Sequence, residues 1–252
     1  MSNLYETLQS VQGGRLPSGN ELIDDHRPSS LSSQTCHNHL PIPRFHENSE
    51  LLALAQNIAA RLPNPDQNVI QFISSQAGEG TSTLIREFAL TVAQHSSKPV
   101  LLVEADSQQP SQAHAFSLQA KPPLDYALKE GNPLNGVISQ IEQSNMFLAT
   151  LSPYFFRSLP ERSFSHSTDM WKAARSQFSL ILIDSAPVNV SADSLALCKS
   201  VNGVILVVAA QQTRSAIVQN VKNQILAREG HILGIVYTKK KFHIPKSIYN
   251  FL

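Results

Sequence analysis

The feature that most constrains the fold is a glycine-rich turn between an apolar run and a helical pattern. Residues 69–73 are mostly apolar, and residues 75–83 read S-Q-A-G-E-G-T-S-T. Apolar residues then recur at the spacing of one helix face: Leu84, Ile85, Phe88, Ala89 and Val92. Strand, turn and helix in this order let the N–H groups around Gly78 and Gly80 point at one anion, at a helix N-terminus that favours negative charge. The segment therefore predicts a phosphate-binding loop, and the alternative is a turn that only connects a strand to a helix.

The loop lacks one residue of the general pattern G-x-x-x-x-G-K-[ST]. Thr81 stands where the lysine would be, whereas Ser82 keeps the hydroxyl that ligates Mg²⁺. A lysine on the β- and γ-phosphates makes contacts worth ~1.5–3 kcal/mol each, so its loss predicts roughly tenfold to hundredfold weaker nucleotide binding. Phosphoryl transfer is expected to suffer more, because charge develops on the transferring group. The nearest cation in sequence, Arg86, lies more than a helical turn beyond the loop.

Composition narrows the class of protein. A chain of 252 residues with net charge +1 has no broad basic surface for nucleic acid. Its two cysteines, Cys36 and Cys198, exclude a disulfide framework. The longest apolar run, residues 204–210, has the length of a strand rather than of a membrane span. We therefore expect a soluble cytoplasmic protein that inserts no segment into the membrane and reaches the inner membrane only through a partner.

Two regions are distinguished along the chain. Residues 1–48, rich in Ser, Gln, Gly, Pro and His, predict a flexible N-terminal tail. Within it, Pro41-Ile42-Pro43 is either a plain linker or a docking strip. Residues 49–252 alternate apolar strands with helical patterns, including short helices at 134–141 and 245–251. This alternation predicts an α/β fold of the P-loop NTPase kind, a three-layer sandwich whose mostly parallel central sheet is flanked by helices.

Carboxylates follow two of the predicted strands. Glu104 and Asp106 end the strand that begins at Val100, and Asp184 ends the apolar run 180–183. The carboxyl ends of parallel strands meet at one edge of a sheet, where carboxylates can hold Mg²⁺ or act as a base. Each acid alone could be only a helix cap. Together with the loop, in this chain order, they predict a nucleotide site.

Three segments in this order resemble the signatures of bacterial tyrosine kinases. They are F-I-S-S-Q-A-G-E-G-T-S-T (Walker A), V-L-L-V-E-A-D-S-Q-Q-P (Walker A′) and L-I-L-I-D-S-A-P-V (Walker B). Those kinases are the cytoplasmic ATPase domains of exopolysaccharide and capsule chain-length regulators, and they are related to the MinD/ParA group. The resemblance runs from about residue 50 to residue 252.

The resemblance implies binding of ATP or ADP with Mg²⁺. The phosphate contacts would come from Gly78, Glu79, Gly80, Thr81, Ser82 and Thr83. Ser82, Asp106 and Asp184 would hold the metal, while Glu104 and Asp106 would be the catalytic carboxylates. Glu104 replaces the aspartate that activates the acceptor tyrosine. The C-terminal tyrosine cluster is reduced to Tyr249.

These departures favour one hypothesis over two others. The first is a nucleotide-binding, weakly active or inactive partner of a membrane co-polymerase, with self-association left open. The second is an active tyrosine kinase whose cation comes from another residue or protein, modified at Tyr249 or Tyr5. The third is a MinD-like positioning ATPase, disfavoured by the missing lysine and the absence of a basic amphipathic terminal helix. The cluster Lys239-Lys240-Lys241 is interpreted as a solvated turn.

Overall fold

A single seven-stranded sheet runs through the described part of the chain. The computed structural model describes residues 49–62, 64, 68–130, 132–155 and 171–240. The predicted tail, the predicted terminal helix at 245–251, Tyr5 and Tyr249 lie outside these residues. No helix within the described ranges is long and apolar enough to cross a bilayer.

The strands and helices alternate as predicted. The strands are β1 (Asn68–Ser74), β2 (Val100–Glu104), β3 (Ser139–Gln140), β4 (Met146–Thr150), β5 (Leu180–Asp184), β6 (Gly203–Ala209) and β7 (Ile232–Thr238). The helices are α1 (Ser49–Ala59), α2 (Thr81–His95), α3 (Gln112–Ala115), α4 (Leu124–Glu130), α5 (Lys172–Arg175) and α6 (Ser215–Ala227). Two 3₁₀ helices span Leu134–Gly136 and Ala192–Leu197.

The strand order brings the predicted site together at one edge of the sheet. The order is β3-β4-β2-β5-β1-β6-β7, and all pairs are parallel except β3 with β4. Glu104 at the end of β2 pairs in register with Asp184 at the end of β5, which in turn pairs with Phe72 of β1. The phosphate loop that follows β1 therefore begins beside both acidic strand ends.

Helices cover both faces of the sheet, which makes the three layers. On one face α1 and α2 pack against residues such as Ile70, Phe72 and Leu102, and the Phe72 and Phe88 rings lie 5.6 Å apart. On the other face α4 and α5 cover the β2 and β5 side, and α6 covers β6. Because both faces are buried, β2 and β6 are buried along their whole lengths and read as continuous apolar runs.

One predicted helix is wrong. Residues 134–141 form only a single 3₁₀ turn, after which Ser139–Gln140 pairs antiparallel with β4. Gly136 within the turn disfavours a continuing helix. The apolar side chains of Leu134, Val137 and Ile138 are nevertheless buried, as the periodicity indicated.

The first residue of β6 lets the neighbouring strand pack closely. A Cβ on Gly203 would lie 2.3 Å from Leu233 Cδ1 and 2.4 Å from Leu233 Cγ. Leu233 is itself buried and lies at the bulge where the β6–β7 register shifts. The side chain of Leu233 thus occupies the space that any other residue at position 203 would need.

We therefore expect Gly203→Ala to destabilise the protein by about 1–3 kcal/mol through overpacking. Urea unfolding measures the loss. Gly136→Ala is the matched control, because a Cβ at Gly136 meets nothing within 4 Å. Equal unfolding free energies for the two variants would contradict the close packing of Leu233 against β6.

Candidate nucleotide site

The turn after β1 has the backbone conformation of an anion cradle. Gly78 and Gly80 have φ of +81° and +89°, in the left-handed region that glycine adopts without strain. Gly80 is the N-cap of α2, so the unpaired N–H groups of the helix start point out of the turn. A cavity of about 370 Å³ opens there. Its lining includes all six residues predicted to contact phosphate, Gly78, Glu79, Gly80, Thr81, Ser82 and Thr83, together with Asp106, Ser185 and Pro187.

Position 81 carries no charge into this cradle. Thr81 is the first residue of α2, its side chain is only 6% exposed, and its Oγ1 has no hydrogen-bond partner among the described residues. A buried hydroxyl without a partner costs free energy that a bound oxygen ligand would recover. The hydroxyl is therefore available to a ligand, although it cannot supply the charge of a lysine.

Glu79 holds the loop in place with a buried carboxylate. Its Oε2 accepts hydrogen bonds from Ser75 N (2.7 Å), Ser75 Oγ (2.8 Å) and Gln76 N (2.9 Å). Its Oε1 accepts from Ala209 N (3.2 Å) and from Thr213 Oγ1. The side chain thus joins the start of the loop to the end of β6 and to the turn before α6. Since both oxygens have protein donors, the predicted phosphate contact of Glu79 would have to come from its backbone rather than from its carboxylate.

These donors also set the charge state of Glu79. Burial by itself would raise the pKa of this carboxyl, but the hydrogen bonds from Thr213, Gln76, Ser75 and Ala209 lower it below the ordinary value. The group is therefore ionised at neutral pH, as acceptance of five hydrogen bonds requires.

Asp184 lies at the floor of the site. It is 1% exposed, its Oδ2 accepts a 2.6 Å hydrogen bond from Gln112 Nε2, and it is also hydrogen-bonded to the Ser82 side chain. Burial raises its pKa to about 6, against the hydrogen bonds of Gln112 and Ser82, and the nearby Glu104 and Asp106 carboxylates add to the rise. The structure thus brings together Ser82 and Asp184, two of the three predicted metal ligands.

A residue that the sequence analysis did not single out organises this floor. Gln112, on α3, is fully buried and also donates to Ser82 O at 2.9 Å, while its Oε1 accepts from Arg86 Nε at 2.8 Å. The Arg86 guanidinium lies 5.9 Å from the Phe116 ring centroid. Arg86 is therefore engaged beneath α3 and does not replace the missing lysine.

The acid that ends β2, Glu104, and the acid two residues beyond it, Asp106, occupy different places. Asp106 lines the cavity, and its Oδ1 accepts from Gln108 N (2.9 Å) and Gln109 N (3.1 Å). The Oε1 of Glu104 accepts from Ser111 N and from Gln112 N (2.6 Å), at the start of α3. Glu104 is 3% exposed and is not among the cavity-lining residues. Glu104 Oε1 thus caps α3, while Glu104 Oε2 is buried without a hydrogen-bond partner among the described residues. The role of Glu104 as a catalytic base stays a prediction.

The donor set fits Mg²⁺ only if the nucleotide supplies further ligands. No group of three or more His, Cys, Asp or Glu side chains in the described ranges is arranged to hold a metal. Asp184 Oδ1 is buried without a partner there, and Ser82 lies beside it. A hydroxyl, one or two carboxylates, phosphate oxygens and water are the usual ligands of Mg²⁺ at such sites.

Three side chains of the site had no sequence signal. Gln112 lies in a polar stretch after β2, Thr213 lies in the turn before α6, and Thr238 is the last residue of β7. Thr213 donates to Glu79 Oε1, and Thr238 Oγ1 donates to the Glu79 carbonyl oxygen. Only the strand order, which places β6 beside β1 and β7 beside β6, reveals these contacts.

Comparison with known proteins identifies homologues of this domain. They are bacterial tyrosine-protein kinases, although no family model matches the chain. Tyrosine-protein kinase CpsD of Streptococcus pneumoniae is 26% identical over 204 residues, which cover 79% of this chain and 87% of the relative. The putative tyrosine-protein kinase CapB of Staphylococcus aureus is 23% identical over 176 residues, 70% of this chain and 77% of the relative.

Solved structures confirm the predicted P-loop NTPase fold. The kinase domain of VpsO is 26% identical, with a TM-score of 0.62, over 76% of this chain and 97% of that domain. A putative plasmid partition protein from Borrelia burgdorferi, solved with AMPPNP, is 18% identical, with a TM-score of 0.56, over 74% of this chain and 80% of its own. The second likeness shows the fold alone.

The Glu79 contacts predict a large effect on stability. Glu79→Ala leaves buried N–H donors unpaired, so we expect a loss of about 2–3 kcal/mol in the free energy of unfolding at pH 7. Because the folded-state pKa lies below the ordinary value of 4.5, this contribution is present above pH 4.5 and is lost as the pH falls through the folded-state pKa.

Urea titrations at several pH values test this, with the exposed Glu130→Ala as the control. A Glu79→Ala variant as stable as that control at pH 7 would show that the carboxylate does not fix the loop.

The raised pKa of Asp184 predicts that its contribution to stability depends on pH in the opposite sense to that of Glu79. The stability that its protonation gives the folded state is present below pH 3.8 and is lost as the pH rises through about 6. Asp184→Asn stays neutral and still accepts from Gln112. Without nucleotide or Mg²⁺, we therefore expect it to gain stability over the unmodified protein between pH 4 and 7, by up to roughly 3 kcal/mol.

Unfolding of both proteins in EDTA across that pH window gives the difference. A difference that does not change with pH would mean that Asp184 keeps an ordinary pKa in the folded protein.

Proposed function

We propose that this protein is a nucleotide-binding regulatory partner in bacterial exopolysaccharide or capsule synthesis and export. It would bind ATP or ADP with Mg²⁺ and act with a membrane chain-length (co-polymerase) protein at the inner membrane. The observation that carries the proposal is a formed anion cradle, with Ser82 and Asp184 paired at its floor, that has Thr81 at its lysine position.

The geometry supports binding more strongly than phosphoryl transfer. Binding draws on backbone N–H groups, the helix N-terminus, the Thr81 hydroxyl and the Ser82–Asp184 pair, none of which needs a lysine. Transfer needs a cation on the phosphoryl oxygens as charge develops in the transition state. The capping contacts of Glu104 also engage the carboxylate that the resemblance assigns to activation of the acceptor tyrosine.

The pathway is inferred from the relatives. Proteins named tyrosine-protein kinase CpsD and CapB align over most of this chain and over most of their own lengths. The sequence resemblance places such domains beside chain-length regulators of exopolysaccharide and capsule. A regulatory ATP-sensing subunit in that assembly would need nucleotide binding but little turnover.

A second candidate is an active tyrosine kinase, and the names of the homologues favour it. It requires a phosphate-facing cation from another residue or protein. Phosphotyrosine appearing on the purified protein with ATP and Mg²⁺, and absent from Asp184→Asn, would establish this candidate over the regulatory one.

Calorimetric titration of ADP and ATP into the full chain, with and without Mg²⁺, tests the proposal. We expect Mg²⁺-dependent binding by the unmodified protein, and roughly tenfold to hundredfold tighter binding by Thr81→Lys, which restores one charge-assisted contact. Gly80→Val is the control that should abolish binding, since a β-branched residue is strained at φ +89°.

No heat of binding for either nucleotide, in the unmodified protein and in Thr81→Lys alike, would refute nucleotide binding at this loop.

A further inference from the structure

We propose that Lys239 supplies the phosphate-facing positive charge that position 81 lacks. This inference rests on the proposed nucleotide binding and names a residue that completes the site. Lys239 belongs to the basic cluster that the sequence analysis interpreted as a solvated turn. The structure places Thr238, the residue before that cluster, beside the phosphate loop.

The end of β7 is fastened to the loop. Thr238 Oγ1 donates a hydrogen bond to the carbonyl oxygen of Glu79. A Cβ built on Gly80 would lie 3.8 Å from both Cβ and Oγ1 of Thr238. Thr238 O in turn accepts from Ala210 N at 2.9 Å, which holds the strand end to the turn after β6.

This contact brings together the residues that precede positions 81 and 239. Thr81 follows Gly80 in the chain, and Lys239 follows Thr238, so each is one residue from the Gly80–Thr238 contact. Lys239 has a left-handed φ of +54°, which turns the chain sharply as it leaves the strand. A lysine ammonium on its flexible four-carbon stem can cover the short remaining distance to an anion held by the loop.

The charges around Lys239 leave it free for an anion. Its side chain is exposed and has no carboxylate partner among the described residues. Two carboxylates near the loop are held by the protein: both oxygens of Glu79 accept from protein donors, and Asp106 accepts from two N–H groups. Asp184 is buried at the floor of the site. An anion bound in the loop would therefore meet a lysine that no described carboxylate holds.

Other cations near the site are placed less well. Arg86 is bound to Gln112 beneath α3. Arg214 follows Thr213, which contacts the carboxylate end of Glu79 rather than the Gly80 end of the loop. Lys240 is one residue further from the contact than Lys239, and Lys241 lies outside the described residues.

The test measures the affinity of the full chain for Mg²⁺–ADP and Mg²⁺–ATP by calorimetry at several salt concentrations. The variants are Lys239→Met, Lys239→Arg, Thr81→Lys and the double variant Thr81→Lys/Lys239→Met. Lys172→Met is the matched control. It removes an exposed lysine from α5, which leads into the opposite, amino end of β5.

We expect Lys239→Met to weaken nucleotide binding about tenfold to a hundredfold and to reduce its salt dependence, because one charge-assisted contact is lost. Lys239→Arg should retain most of the affinity, and Lys172→Met all of it. In the Thr81→Lys background, Lys239→Met should cost far less, since the charge at position 81 then replaces the charge at position 239.

The outcomes separate this inference from the function on which it rests. If the unmodified protein binds nucleotide and Lys239→Met binds it equally well, the proposed role of Lys239 is overturned while nucleotide binding stands. If Lys239→Met weakens nucleotide binding equally with and without Thr81→Lys, the two charges act independently. That result would overturn the inference that Lys239 takes the place of the missing lysine. If the unmodified protein and Thr81→Lys both fail to bind, both proposals fall.

Discussion

The ionised carboxylate of Glu79 is the interaction on which the rest of the site depends. A loop of alternating small and polar residues has no core of its own, and two of its glycines are in the left-handed region. Buried hydrogen bonds from the start of the loop, from β6 and from the turn before α6 fix it instead. The hydrogen bond from Thr238 to the Glu79 carbonyl oxygen also connects the end of β7 to the loop. The cradle is therefore shaped by strands that are distant in sequence, and any motion of β6 or β7 would reach it.

The acids at the edge of the sheet accept hydrogen bonds from uncharged side chains and from backbone N–H groups. Glu104 and Asp184 are paired in register and buried, an arrangement that is costly when both are charged. Backbone N–H groups at the start of α3 donate hydrogen bonds to one oxygen of Glu104, and the Gln112 side-chain amide donates one to Asp184. The nearby guanidinium of Arg86 donates to Gln112 and not directly to these acids. A site balanced in this way can hold a nucleotide and its metal, but it directs little positive charge at a transferring phosphoryl group.

Periodicity predicted most of the fold because parallel strands buried on both faces read as apolar runs. The runs at 69–73, 100–103, 180–183 and 204–208 all became strands, and Ser49 and Thr81 begin helices near where the patterns indicated. The failure at 134–141 has a local cause. Its apolar residues are buried, but Gly136 disfavours a longer helix, and pairing with β4 then decides the backbone. Of the site, the loop and the acids were visible, whereas Gln112, Thr213 and Thr238 were not, because isolated polar residues carry no pattern.

By itself, the sequence determined the class of fold, the position of the phosphate loop and the absence of lysine from it. These depend on residue type and on spacing within one strand–turn–helix unit, which local physics controls. The tertiary structure decided what each polar side chain does. It made the Glu79 carboxylate the anchor of the loop, and it set one oxygen of the Glu104 carboxylate against the start of α3. It also placed Thr238, the residue before Lys239, against Gly80 of the loop. Those outcomes depend on strand order and burial, which join residues more than a hundred positions apart, and no local pattern encodes such contacts.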